Sequence, residues 1–448
     1  MFKFMTKYLF VGIASAIFFA GCGDIDNSGE NIVGNNFVSA EVIQEVNAAT
    51  NLAYIQAGID ANATNAFAYK VVKIIYNTKD EQNKDVKASG ILVIPTPTDA
   101  YVQYLKAQGK TFSISTILEN HGTIFPDTQA PSNEVATLGS GTQKLALLMS
   151  GYAGFAAAMP DYIGYGESKD QPHPYILKKA SARASVDMLK ASMRYMTDNN
   201  IITNGQVYVS GYSEGGYVAM ATAQDIEQNY SDEFKLKGVA PMDGPYDVKA
   251  LGDVEINATH TMAYPAFLGY LTSAYSVAYD DVKLDDVLNS DINTTTFNSL
   301  FAGTYTNVQI HYALGMVTDL NESTVTGKGF NEYNATKLFS ATFINDYQQN
   351  ANNSVKVRLE ENSVYDWKPT AKMNIIHCVD DDIIPFTMAQ TAYAKFLENG
   401  ATTDNITLSP IPTSYITRSS LFIHADCAPT AYGAAVSWFN KIRNGEIK

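Results

Sequence analysis

The sequence predicts an α/β fold with a mostly parallel sheet covered by helices on both faces. Three observations carry this. Between residues 112 and 244, β-rich runs alternate with longer segments whose apolar residues recur at helical spacing. The β-rich runs are apolar without interruption, as strands buried on both faces are, rather than alternating apolar and polar. The alternation stops near Gly244 and resumes after residue 371. On length alone, 448 residues allow about three domains. The interrupted alternation instead fits one α/β core carrying an insertion.

Composition narrows the function. Hydrophobic residues make up 46% of the chain and charged residues 17%, a globular balance. A net charge of −15 without any basic cluster excludes a nucleic-acid binder, which must neutralise phosphates. Three cysteines and six histidines are too few for a disulfide scaffold or a multi-finger zinc protein. No metal or cofactor is expected.

Residues 1–21 form a leader. Lys3 and Lys7 precede an apolar run over 8–20 that is too short to span a bilayer and suits a signal peptide. The run ends Phe19-Ala20-Gly21-Cys22, which resembles the bacterial lipobox, whose cysteine is acylated; Phe19 departs from the usual Leu. An exported, membrane-anchored lipoprotein is expected, with an ordinary signal peptide and an incidental Cys22 as the alternative. Residues 22–37, polar and rich in Gly and Asn, read as a flexible tether.

The core is expected over 38–244 and 371–448. Residues 39–58 place Val42, Ile43, Val46, Ala49, Leu52 and Ile55 at helical spacing and predict a helix. Residues 68–78 and 88–95, separated by a polar turn, predict an antiparallel hairpin. Strands are predicted at 112–120, 154–160, 206–210 and 236–244, with helices at 144–153, 174–198 and 214–228 between them. Beyond the insertion come a strand at 371–379, a helix at 386–400, a strand at 405–411 and a terminal helix at 428–445. Residues 245–370 are rich in Tyr, Asn and Thr, with patches of helical spacing but no βα repeat.

Gly211-Tyr212-Ser213-Glu214-Gly215 is a G-x-S-x-G that follows a β-branched strand and opens a helix, the context a nucleophile elbow needs. Small residues let neighbouring backbone pass close, and the helix N-terminus favours developing negative charge. An unassisted serine is a poor nucleophile at neutral pH and needs a base. His121 is expected to order its loop, His173 lies in QPHPY, His260 and His311 lie in the insertion, and His377 is expected to be a buried core histidine. His424 sits in a predicted loop before the last helix, which returns to the carboxyl edge of the sheet, and is the favoured base. Asp381, in the acidic stretch Asp380-Asp381-Asp382, gives the order Ser…Asp…His; Asp380 and Asp382 remain open. The stretch lacks the spacing of a calcium loop. The backbone N–H groups of Thr123 and Glu214 are the expected oxyanion donors, and the Glu214 side chain is expected to be a solvated acid at the helix start.

HGT (121–123), DYIGYGES (161–168), HPYILKKASARASVDMLKA (173–191), VYVSGYSEGGYVAM (207–220), DGPYDV (243–248) and DDDIIP (380–385) together resemble the α/β-hydrolase superfamily, and within it bacterial secretory lipases and esterases. The likeness covers about residues 65–248 and 371–448. It implies an α/β-hydrolase fold with residues 245–370 as an inserted, mainly helical lid, and a serine ester hydrolase acting on a small ester or lipid. Ser213 matches the nucleophile, Asp381 the acid and His424 the base. Family members commonly have His-Gly where this chain has His377-Cys378. If the triad assembles, Cys378 and Cys427 flank neighbouring loops, and a disulfide between them is expected in an oxidising compartment, with two buried thiols as the alternative. Two other functions stay open: a prolyl-oligopeptidase-like serine peptidase, although the chain before residue 68 is too short for a propeller, and a non-catalytic surface lipoprotein.

Overall fold

The structure, a computed structural model, describes residues 36–109, 111–261, 264–317, 320, 333–420 and 422–447. The leader, Cys22 and nearly all of the tether lie outside the described residues. Nine strands form one sheet: β1 (Phe37–Val46), β2 (Ala68–Lys79), β3 (Asp85–Thr96), β4 (Ile114–Asn120), β5 (Ala156–Pro160), β6 (Thr203–Tyr212), β7 (Lys235–Met242), β8 (Lys372–Cys378) and β9 (Ile406–Ile411). Their order is β1-β2-β3-β5-β4-β6-β7-β8-β9. The first three strands and β5 pair antiparallel, and β5 through β9 pair parallel.

Successive strand residues point to opposite faces, and both faces are buried. Leu118, Val209 and Val239 pack into one apolar cluster, while their neighbours Ile117, Tyr208 and Ala240 pack into the other. Continuous apolar strands are therefore required, because neither face meets water. The helices Lys178–Asp198 and Glu214–Asn229 lie against the first layer, and the terminal helix Ile423–Arg443 lies against the second. Register aligns Asn120 with Gly211 and Tyr212 with Met242, so the carboxyl ends of β4, β6 and β7 lie side by side. Between β7 and β8 the chain leaves the sheet for a largely helical segment that includes Val248–Glu255, Pro265–Ala278, Ala341–Gln349 and Ser354–Glu361.

Two sequence expectations fail. Residues 39–58 are not one helix: residues up to Val46 form the edge strand β1, antiparallel to β2, and a helix follows only at Ala48–Gly58. The adjacent Val42 and Ile43 satisfy helical and strand periods equally over so short a run, and pairing with β2 decides it. Asn47 then caps the helix through its side chain, which accepts from the Thr50 N–H at 2.9 Å. The second failure concerns His424, which is not in a loop. The terminal helix begins at Ile423, five residues earlier than expected, and takes in both His424 and Cys427.

Candidate active site

β6 ends at Tyr212, the helix Glu214–Asn229 begins one residue later, and Ser213 makes the turn between them. Its backbone adopts φ +62° and ψ −122°, a left-handed strain that only a tightly fixed neighbourhood sustains. The fixing is done by close backbone. The Ser213 N–H donates to the Met242 carbonyl at 2.9 Å. A Cβ on Gly215 would lie 1.9 Å from the Asn120 carbonyl oxygen, and one on Gly211 would lie 2.1 Å from that of Gly215. Only glycine fits at either position.

The chain after β4 passes beside the serine: a Cβ on Gly122 would lie 3.6 Å from the Ser213 Cβ. His121 holds that loop, its Nδ1 2.7 Å from the Gly122 carbonyl and its Nε2 3.2 Å from that of Asp161. Thr123 is fixed by its hydroxyl, 3.0 Å from that of Tyr175. Glu214, whose N–H is among the unpaired donors of a helix's first turn, follows the serine directly.

The Glu214 side chain corrects the expectation of a solvated acid. It is 2% exposed, and its Oε1 lies 2.8 Å from His173 Nε2, whose Nδ1 in turn lies 2.8 Å from the Ile163 carbonyl. The turn at Ser213 directs Glu214 inward, where a buried carboxylate requires a partner. Sequence spacing gave no sign of this pair, since His173 stands 41 residues away.

The three consecutive aspartates separate. Asp381 Oδ2 lies 2.6 Å from His424 Nδ1, and its Oδ1 accepts the N–H groups of Ile383 and Ile384 at 2.9 and 2.8 Å. Asp382 accepts the N–H groups of Ile423 and His424 at 3.0 and 3.1 Å, capping the terminal helix. Asp380 accepts from the Thr413 hydroxyl. Burial, the largest influence on Asp381, pushes its carboxyl up, but the His424 imidazole and the bonded hydrogens outweigh it and hold it at about 2. Cys378 and Cys427 are joined in a disulfide with Cα atoms 6.4 Å apart, linking the end of β8 to the first turns of the terminal helix.

Tyr212, the residue before Ser213, contacts His424. The Tyr212 hydroxyl donates to the His424 carbonyl at 2.6 Å, and the two rings lie 5.1 Å apart. Among the described residues, no hydrogen bond joins the Ser213 hydroxyl to an imidazole; such bonds commonly tighten only when substrate binds. His377 is a fully buried core histidine, its Nε2 2.8 Å from the Ile384 carbonyl.

Two groups of possible metal ligands occur among the described residues, Asp243-Cys378-Cys427 and Asp243-His377-Asp381. The sulfurs of the first are bonded to each other, and Asp381 of the second is committed to His424 and two amides. A pocket opens over the serine. Ser213 and Glu214 form its floor, and its walls include Leu251, Phe267, Leu268 and Leu271 from the inserted segment and Ile383 beside the acidic loop.

Two further acids were not expected at the site. Glu119 sits fully inside β4, bonded by the hydroxyls of Ser210 and Tyr432; burial pushes it up to about 8 despite those bonds. Asp243 directly follows β7, with φ +45° and no exposure. A charge interrupting an apolar strand was the available signal for Glu119.

Comparison with known proteins bears on family and fold. The model of the secretory lipase family matches residues 129–447. No curated protein matches. Among solved structures, a mutant of the rice cell wall degrading esterase LipA from Xanthomonas oryzae is 21% identical, covers 92% of this chain and 98% of its own, and superposes with a TM-score of 0.72. Candida antarctica lipase A is 17% identical, with 84% of this chain and 76% of its own covered and a TM-score of 0.56. At these identities the structural likeness establishes the α/β-hydrolase fold. The family match extends over most of the chain and includes the elbow, the acidic loop and the terminal helix, so the chain belongs to the secretory lipase family of ester-hydrolysing enzymes.

Proposed function

We propose that this hydrolase works through a triad of Ser213, His424 and Asp381 and an acyl-enzyme intermediate. The observation that carries it is the 2.6 Å contact between Asp381 and Nδ1 of His424, which fixes the imidazole with Nε2 free to act as base. Nε2 removes the serine proton as Oγ attacks the ester carbonyl. The oxyanion is stabilised by the N–H groups of Glu214 and Thr123, each worth roughly 3–4 kcal/mol in the transition state. The imidazolium protonates the departing alkoxide, and water, activated by the same base, releases the acid. Residues 245–370 serve as a lid over the pocket, whose apolar lining favours an acyl chain over a charged group.

Export follows from family membership, and we propose acylation of Cys22 as the anchor, with 22–37 as the tether to the core. Incorporation of labelled palmitate that is lost in Cys22→Ala is the expected result; no label would refute the anchor. For the triad, a fluorophosphonate probe is expected to label the wild type and not Ser213→Ala. The same variant is expected to lose about 10⁴-fold or more in kcat on short p-nitrophenyl esters while unfolding at the wild-type temperature. Retained turnover would end the proposal.

A further inference from the structure

Asp243 is a buried acid with no part in the steps above. Its N–H donates to the Ile376 carbonyl at 3.1 Å, and its Oδ1 accepts the Cys378 N–H at 2.9 Å. Its Oδ2 has no hydrogen-bond partner among the described residues. One of its oxygens, one of Asp381 and a nitrogen of His377 all lie within 4.8 Å of one another. Asp243 has no exposure, and neither does the Asp381 side chain.

Two carboxylates this close and this dry cannot both be ionised, because no solvent screens their repulsion. Asp381 is the one held as an anion, since its oxygens accept from Ile383, Ile384 and His424. His377 offers Asp243 no compensating charge. Its Nε2 donates to the Ile384 carbonyl, its Nδ1 has no partner, and burial pushes it down to about 4. The other titratable groups facing Asp243 are Tyr212 and Tyr246, both phenols driven upward first by burial and so neutral. Burial and the Asp381 charge likewise push Asp243 well above the carboxylate range.

We propose that Asp243 is a protonated carboxylic acid that donates its hydrogen to Asp381 and thereby positions the acid that orients His424. The proposal rests on the triad assignment above. Asp243 touches no reacting atom; it fixes the Asp381 side chain and disperses its charge. The left-handed backbone at Asp243 favours Asp or Asn, and Asn preserves both contacts, accepting from Cys378 and donating to Asp381.

The test has two arms. Infrared difference spectra of wild type against Asp243→Asn, recorded at pH 9 where Glu119 is ionised, should show a carboxylic-acid carbonyl band in wild type only. No such band would overturn the proposal. The second arm compares Asp243→Ala with Asp243→Asn on one ester. Alanine should cost roughly 10- to 100-fold in kcat/KM, as the loss of a hydrogen bond to a charged group predicts, and Asn should restore most of it. The acidic limb of the pH profile should stay in place in the Asn variant. If Asp243 were ionised, Asn would remove a negative charge and move that limb to lower pH, which would overturn the proposal. The infrared arm needs no catalysis, so failure of the triad, seen as turnover by Ser213→Ala, is distinguishable from failure here.

Discussion

The strand–serine–helix turn at Ser213 and the Asp381–His424 pair are built in opposite ways. The elbow is local. β6, one strained serine and one helix follow each other without a break, and the glycines that allow the turn are two residues from the serine on either side. Asp381 and His424 stand 43 residues apart and are assembled from outside. Asp382 caps the helix that carries His424, the disulfide ties that helix to β8, and Asp426 binds the backbone of Ser419 and Ser420 in the segment leading into it. A turn encoded in five consecutive residues is fixed by sterics; a distant pair needs several independent ties.

The largest expected effect separates neighbours within the acidic stretch. Asp381→Asn should lower kcat about 10⁴-fold by favouring the wrong imidazole tautomer, while Asp382→Asn should cost far less and act mainly through the helix start. Equal losses, measured by ester kinetics, would show that the pairing with His424 is not what matters. The elbow should fail through folding instead. Gly215→Ala places a methyl 1.9 Å from the Asn120 carbonyl and should destabilise by more than about 3 kcal/mol, read from chemical denaturation. A stable, active alanine variant would mean that the elbow tolerates rearrangement.

Replacing Cys378 and Cys427 by serine should cost about 2–4 kcal/mol of stability, since the bond closes a loop with sequence separation 49, and should reduce kcat more than it impairs serine labelling. Unchanged melting and kinetics would mean that the disulfide does not help hold the Asp381–His424 pair. The last effect is one of pH dependence and concerns Glu119, which is bonded to Ser210 of β6 and Tyr432 of the terminal helix. Its folded form keeps its proton up to about 8, whereas the unfolded chain loses it near 4.5. Stability should therefore fall as pH rises from about 4.5 to 8, by up to about 1.4 kcal/mol per pH unit. Glu119→Gln should flatten that slope in urea titrations run across the same pH range.

The strand–helix alternation and the strand–serine–helix turn are legible because each is written in consecutive residues. The first half of 39–58 obeys two periods at once, and only pairing with β2 selects the strand. The start of the terminal helix is not written locally, because its cap is supplied by Asp382 rather than by a residue just before it. The buried partners Glu214–His173 and Asp243–Asp381 left no local trace.

The sequence alone determined the fold class, the strand–turn–helix around Ser213 and the order of the catalytic candidates, because hydrophobic period and turn sterics act over a few neighbouring residues. Only the tertiary structure decided which aspartate faces His424, where the helix bearing that histidine begins, and which buried acids are left to share protons. Those outcomes depend on distances and desolvation between residues that meet only after the sheet has closed them together.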